Sequence, residues 1–272
     1  MTKLNVAIAG VAGRMGRQLA AMVIDRGLVL SGASEAASSP ALGEDAGVLA
    51  GRQPVGVKPS TDVAAAAAKA DVWIDFTRPD ATMAALEALK STQVKAVIIG
   101  TTGLTQAQEA AIKAASARFA IVKSGNYSLG VNLLQAFTRL AASRLGQDWD
   151  IEILESHHRM KIDAPSGTAL MLAEAAAEGR GRPLDQLLAA PYLGPDAPRK
   201  DGEIGMAVRR AGGIYGEHEV LFGAAKEVLR FSHMALDRAV FADGAVHAAV
   251  WAASRPPGLY GMDDVLGLGH TG

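Results

Sequence analysis

No cysteine occurs among the 272 residues. That excludes disulfides and thiolate metal sites, and it fits a reducing cytoplasm. Neither sign of charge dominates, and the formal net charge of −1 excludes a general nucleic-acid binder while leaving room for a local basic pocket. No apolar run approaches the roughly 20 residues of a membrane span. The start, Met1-Thr-Lys-Leu-Asn5, leads directly into a strand-like segment and shows no secretion signal. No internal repeat is visible. The expectation is therefore a cytoplasmic protein that engages neither membrane nor nucleic acid. A chain of this length buries about 70–75% of its unfolded surface and needs no staple. It suits one large domain or two ordinary ones. The alanine tract Ala64–Ala68 reads as compositional bias toward helix.

The chemistry is concentrated in one run, Glu155-Ser-His-His-Arg-Met-Lys-Ile-Asp-Ala-Pro-Ser-Gly-Thr168. It follows a strand-like segment, Asp150–Leu154, and precedes a helix-like one, Ala169–Ala177. Cations at a strand end, followed by a helix start with its orphan N–H groups and positive dipole end, suit a carboxylate-rich ligand. Ser166 or Thr168 is placed to cap that helix.

The first half alternates between short apolar strands (Val6–Ala9, Val29–Ala33, Asp71–Phe76, Val94–Ile99, Phe119–Val122) and helices (Arg14–Asp25, Pro79–Lys90, Thr105–Ser116). In the first helix Met15, Leu19, Met22 and Val23 share a side. This predicts a doubly wound parallel sheet covered on both faces, which binds ligands beyond the carboxyl ends of its strands. After a helix over Val131–Leu145 the pattern changes. The strand at 150–155 and those over Glu203–Arg209, Glu217–Phe222 and Glu227–Phe231 predict an α+β domain with a mixed or antiparallel sheet. Segment 179–202 reads as a long mobile loop and 254–272 as mostly loop. Asp237–Ala253 reads as a helix with Val240, Phe241, Val246 and Val250 on its apolar side. Trp73, Trp149 and Trp251 are expected in the core.

Gly10-Val-Ala-Gly13-Arg-Met-Gly16 sits between the first strand and the first helix, where a Rossmann fold places its pyrophosphate. The spacing is G-x-x-G-x-x-G; Ala12 and Met15 stand where the common fingerprint has glycine. By itself the turn also suits a plain helix start. Glu35 ends the second strand, where an acid bonds ribose hydroxyls and repels a 2′-phosphate. Ala36 and Ala37 offer that phosphate no cation, which favours NADH over NADPH. Gly100-Thr-Thr-Gly103, Asp75–Pro79 and Ser124-Gly-Asn-Tyr127 add three further turns at strand ends.

These pieces, with Gly216-Glu-His218 and Phe241–Val246, resemble the dihydrodipicolinate reductases (4-hydroxy-tetrahydrodipicolinate reductases) over essentially the whole chain, in order. The run His157–Thr168 is the specific part and the glycine turn is not. The resemblance implies a Rossmann domain over 1–127 and 239–272, and a substrate and tetramerisation domain over 128–238. It also implies hydride transfer from a reduced nicotinamide to C4 of the dehydrated hydroxy-tetrahydrodipicolinate ring, in lysine and diaminopimelate biosynthesis. Carried over by motif, His157 and Lys161 are the acid/base pair. His158, Lys161, Ser166, Gly167 and Thr168 hold the substrate carboxylates. Gly10, Val11, Ala12, Gly13, Arg14, Met15, Glu35, Gly100, Thr101, Thr102, Ser124, Gly125, Asn126 and Tyr127 hold the cofactor. One departure bears on that cofactor: many NADPH-using members carry arginine after the acid, where Ala36 stands.

Hydride addition builds negative charge on the ring nitrogen or the adjacent carbon, and a proton must follow. Lys161 supplies either that proton or a fixed positive charge. His157 titrates near neutrality, and the two roles can exchange. Neighbours on an extended chain point opposite ways, so His157 is assigned proton chemistry and His158 a carboxylate contact. Adjacent histidines also suggest a metal, but His218, His233, His247 and His270 show no ligand spacing with them, and no metal is expected. Arg159 and Asp163 read as ion-pair or turn residues, and His218 as structural. The competing assignments are another Rossmann oxidoreductase, acting on an amino acid or semialdehyde, and a nucleotide-sensing protein without turnover. Neither needs the basic run.

Overall fold

The computed structural model describes residues 3–268. In chain order the elements are β1 (Asn5–Ala9), α1 (Arg14–Asp25), β2 (Val29–Ser34), α2 (Ala46–Leu49), α3 (Val63–Ala66), β3 (Val72–Asp75), α4 (Pro79–Leu89), β4 (Ala96–Ile99), α5 (Gln106–Ala115), β5 (Ala120–Lys123), α6 (Leu129–Arg144), β6 (Asp150–His157), α7 (Gly167–Gly179), β7 (Ile204–Arg210), β8 (Glu217–Gly223), β9 (Val228–Met234), α8 (Ala239–Ala252), β10 (Gly258–Tyr260) and α9 (Met262–Val265). They form two compact units. The first holds the chain up to Ser128 and again from Ala239; the second is Leu129–Arg238.

In the first unit six strands lie in the order β10-β5-β4-β3-β1-β2, and every pair is parallel. The residues of β3 and β4 are buried throughout, as continuous apolar strands covered on both faces must be. Ala7, Ala9, Trp73, Val97, Ile99 and Ile121 point to one face. There they pack with Ala66 of α3, Ala85, Leu86 and Leu89 of α4, and Ile112 of α5. Helices α1 and α8 pack together on the unit's sheet. The chain steps from β1 out to β2, then returns past β1 to β3 and continues outward. The order thus reverses between β1 and β3, the place where a doubly wound sheet opens its ligand crevice.

Two expectations change at the end of this unit. Helix α8 buries Ala242, Gly244, Ala245, Val246, Ala248, Ala249 and Ala252, whereas Val250 is exposed. Alanine and glycine allow close backbone approach, so small size decides which side faces inward. The segment after 253 is also more ordered than expected. Glycine and proline there mask β10, which extends the sheet beside β5, and the short α9. Of that segment, 269–272 with His270 lie outside the described residues, as do Met1 and Thr2.

In the second unit the order is β7-β6-β8-β9. Strand β6 runs parallel to β7 and antiparallel to β8, and β8 is antiparallel to β9, so the sheet is mixed. Ile151, Ile153, Ile204, Val220 and Phe222 meet Leu134 of α6 and Leu172, Ala173 and Ala176 of α7 in a second core. Trp149 packs at its border, whereas Trp73 is fully buried in the first unit. After α7 ends at Gly179, the segment to 202 holds a 3-10 turn at Leu184–Gln186 and a single parallel bridge from Leu188 to Ile204, and is otherwise irregular. It is tied to β6 through Arg199, which pairs with Glu152 and with Asp150 at 2.7 Å and donates to the Glu203 carbonyl at 2.6 Å.

A tight packing constraint lies at Gly16. A Cβ there would sit 2.1 Å from the Gly10 carbonyl oxygen. The Gly16→Ala variant is expected to lose about 1–3 kcal/mol of stability through overpacking, read as a lower urea midpoint with an unchanged m-value. An unshifted midpoint would show that α1 moves aside freely.

Candidate functional site

The parallel arrangement of the first unit carries every expected cofactor segment to one edge, because all strand carboxyl ends point the same way. Gly10 takes φ +60°, a left-handed conformation that favours glycine. Val11 is buried beneath the turn, and Ala12 is half-buried. Gly13 is the N-cap of α1, exposed and without a side-chain cap, and no acid lies in the first turn. Arg14 is exposed and Met15 half-buried. An accessible, acid-free helix N-terminus fits a pyrophosphate. Glu35 lies on this turn: one carboxylate oxygen accepts the Ala12 N–H at 2.7 Å and the other the Ala36 N–H at 3.3 Å. Arg17, unmarked in the sequence, donates through Nε to the Ala12 carbonyl at 2.9 Å and braces the same loop.

Beyond β3 and β4 the carboxylate of Asp75, 1% exposed, accepts the Thr77 N–H at 2.9 Å and the Thr77 hydroxyl at 2.6 Å. The Thr101 and Thr82 hydroxyls meet at 2.8 Å, with Thr101 buried. Thr102 and Gly103 stay exposed. Gly100 must lack a side chain, since a Cβ would lie 2.2 Å from the Phe76 ring. After β5 the Ser124 hydroxyl donates to the Asn126 carbonyl at 2.6 Å, and Asn126 Oδ1 accepts the Ser128 N–H at 2.8 Å. Gly125 is exposed at the tip. The Tyr127 side chain goes into the core. Its hydroxyl lies 2.9 Å from the carbonyl oxygens of both Ile99 and Val122, and burial pushes the phenol pKa up. Its phenol therefore ties β4 to β5.

In the second unit the site grows out of β6. Residues 151, 153, 155 and 157 alternate onto one sheet face. The first two are isoleucines in the core; the last two are Glu155 and His157. Register adds Arg210 opposite His157 on β7, and His218 opposite Glu155 on β8. The Glu155 carboxylate, 1% exposed, is bracketed by donors. Arg210 Nη1 and Nη2 reach its two oxygens at 2.7 and 2.8 Å. His157 Nδ1 lies 2.6 Å from Oε2, and the Ser166 N–H donates to Oε1 at 3.0 Å. Burial raises the Glu155 pKa, but Arg210, His157 and Ser166 outweigh it, so the net shift is downward and the group is ionised.

His157 is pulled below its ordinary value, chiefly by burial, with the Glu155 hydrogen bond opposing. Lys161 bonds Asp163 at 2.7 and 2.8 Å and is close enough for its charge to act on His157. His158, beyond the strand, accepts from Arg238 Nη2 at 3.3 Å through Nε2, because a guanidinium can only donate. The Arg159 N–H donates to the Gly212 carbonyl at 3.1 Å. Ser166, rather than Thr168, caps α7, its hydroxyl accepting the Ala169 N–H at 3.1 Å. The same hydroxyl lies 3.1 Å from His218 Nε2 and is buried. Gly167 is exposed, and a Cβ there would meet nothing within 4 Å; Thr168 is half-buried at the same helix start.

The sequence reading missed Arg210, His218 as a contact of Ser166, and Arg238. The strand alternation from Ile151 to His157 was a usable signal for Glu155, but nothing local indicates which strand lies beside it.

A parallel sheet with an accessible glycine turn on its first helix, in a chain whose second unit gathers imidazole, ammonium and a helix start, defines a dinucleotide-binding oxidoreductase. Residues 4–127 match the model for the N-terminus of dihydrodipicolinate reductase, and residues 130–266 the model for its C-terminus. The chain belongs to the dihydrodipicolinate reductase family. The 4-hydroxy-tetrahydrodipicolinate reductase of Methylocella silvestris is 50% identical over 271 residues, 99% of each chain. That of Rhodopseudomonas palustris is 49% identical, covering 98% of this chain and 99% of its own. Among solved structures, the dipicolinate-bound dihydrodipicolinate reductase of Paenisporosarcina shares the fold with a TM-score of 0.78 at 24% identity, over 97% of this chain and 99% of its own.

His218 makes stability pH-dependent. Burial first, then the neighbouring His157, pulls its pKa from 6.5 down to about 4. Below 6.5 the unfolded chain takes up a proton that the folded chain refuses. Stability is therefore lost as pH falls from 6.5 toward 4, by up to about 3 kcal/mol from this group. Urea titrations at several pH values are expected to show this slope, and a shallower one in the His218→Asn variant. An equal slope in both would assign the loss elsewhere.

Proposed function

We propose that the chain catalyses the NAD(P)H-dependent reduction of (2S,4S)-4-hydroxy-2,3,4,5-tetrahydrodipicolinate to (S)-2,3,4,5-tetrahydrodipicolinate. One hydride and one proton are added and one water leaves. The reaction belongs to lysine and diaminopimelate biosynthesis, and the expected location is the cytoplasm, consistent with the lack of cysteine. One observation carries the reading: a single strand end delivers an imidazole, an ammonium and the start of a helix to the same run of chain. Near 50% identity across the whole length to proteins named for this reaction supports it. So does the dipicolinate bound by the Paenisporosarcina protein, a dicarboxylate like the proposed substrate.

Bound reduced nicotinamide supplies the hydride that adds at C4. Gly10–Met15 would hold its pyrophosphate, Glu35 its ribose, and the turns at Gly100–Thr102 and Ser124–Tyr127 the rest. In the second unit, Gly167 and Thr168 offer N–H groups and a positive dipole end to a carboxylate. The cations Lys161 and Arg238, the latter through His158, suit the second carboxylate. His157 or Lys161 delivers the proton as negative charge builds on the ring, an effect worth roughly 10²–10⁴ in rate. NADH is the preferred cofactor, because Glu35 would repel a 2′-phosphate and Ala36 provides no cation to offset it. We also propose a homotetramer. Helices of the second unit cover one sheet face, and the opposite face carries Leu154, Leu221, Val228 and Met234, the last two well exposed.

A coupled assay with freshly prepared substrate tests the activity. His157→Ala and Lys161→Ala are each expected to lower kcat by at least about 10²-fold while NADH binding, read by fluorescence titration, persists. Near-native turnover in either variant would remove that residue from the chemistry. Ala36→Arg is expected to raise the NADPH-to-NADH ratio of kcat/KM on the order of ten-fold. A constant ratio would show that the phosphate is sensed elsewhere.

A further inference from the structure

We propose that Glu155 is a positioning residue: its carboxylate holds His157 in the Nδ1–H tautomer, keeps Nε2 for the ring, and locks the proton-bearing imidazole to the start of α7. This rests on the proposed role of His157.

Three observations support it. First, Oε2 lies 2.6 Å from His157 Nδ1. A carboxylate can only accept, so Nδ1 carries the hydrogen and Nε2 is left to exchange a proton. Second, Nε2 lies beside Gly216, which has no side chain to cover it. A Cβ on Gly216 would lie 3.1 Å from it, so glycine at 216 leaves that nitrogen uncrowded. Third, the carboxylate is itself immobilised. Arg210 grips both oxygens and also donates to the Asp163 carbonyl at 2.8 Å, while the Ser166 N–H takes Oε1. One buried anion therefore sets the imidazole, the loop carrying Lys161 and Asp163, and the cap residue of α7.

The charged and titratable groups facing His157 are Glu155 on its own strand, Arg210 from β7, His218 from β8 with its ring 5.2 Å away edge-on, and Lys161 from the following loop. His233 on β9 faces His218. Of these, Glu155 alone raises the His157 pKa. Its removal must lower the pH at which the imidazolium is lost.

The experiment combines nitrogen-15 imidazole NMR with kinetics, the His157 signals being assigned by their loss in His157→Asn. In the unaltered protein, above its titration, His157 is expected to be protonated on Nδ1 with a low-field proton signal. An Nε2-protonated ring would overturn the proposal even if no variant folds. In Glu155→Gln the low-field signal is expected to vanish and kcat to fall on the order of 10²-fold, with a smaller change in KM. The basic limb of the kcat profile should move to lower pH. Should His157→Asn abolish turnover while Glu155→Gln keeps native kcat and an unmoved limb, the proposal fails and the proposed reaction stands. Should His157→Asn retain turnover, the assigned role of His157 fails, and the tautomer spectrum still decides whether Glu155 holds it.

Discussion

A carboxylate taken out of water without partners would be costly enough to protonate or to unfold its surroundings. Glu155 escapes this because a bidentate guanidinium, an imidazole N–H and a backbone N–H converge on it. Each donor comes from a different place in the chain: Arg210 from β7, His157 from the same strand, Ser166 from the start of α7. The anion thus compels three segments to meet. Two of them, His157 and the start of α7, are the parts to which we assign proton transfer and carboxylate binding. Loss of one partner from such a buried pair typically costs about 3–5 kcal/mol, so the arrangement tolerates little drift.

The strand beneath it shows how one element serves both stability and chemistry. From Ile151 and Ile153 to Glu155 and His157, alternate residues of β6 pass from a hydrocarbon core to an ionisable cluster without leaving the sheet face. Rigid sheet backbone under the reactive groups suits a site that must hold geometry to fractions of an ångström. In the first unit the ordering principle is direction rather than charge. Five consecutive parallel strands place five turns at one edge, and the turns need only be short, with glycine where backbone crowds backbone or ring.

Much of this was legible from residues alone. Apolar runs of four to six residues alternating with helices specify a parallel sheet, and β1 to β5 fall where the runs lie. The change of pattern after residue 129 marks the second unit's mixed sheet, since strands without intervening helices cannot all be parallel. Less legible were features set by size and contact. The buried side of α8 is lined by alanines, which hydropathy ranks below the exposed Val250. Strand β10 is three residues in a glycine- and proline-rich tail and forms only because β5 offers an unpaired edge. Tyr127, adjacent to a polar turn, turns its hydroxyl inward to two carbonyls.

Sequence by itself determined which chemical groups are present and in what local order: the glycine turn before α1, the acid closing β2, and the histidine–lysine–serine–glycine–threonine run between β6 and α7. Such features depend on neighbours along the chain, and periodicity reveals them. Tertiary structure alone decided which groups share an environment. Arg210 lies 55 residues from Glu155, and His218 lies 52 from Ser166, so their pairing follows from strand register. Register also determined the burial that pulls His218 to about 4, and the hydrogen bond that selects the nitrogen His157 presents.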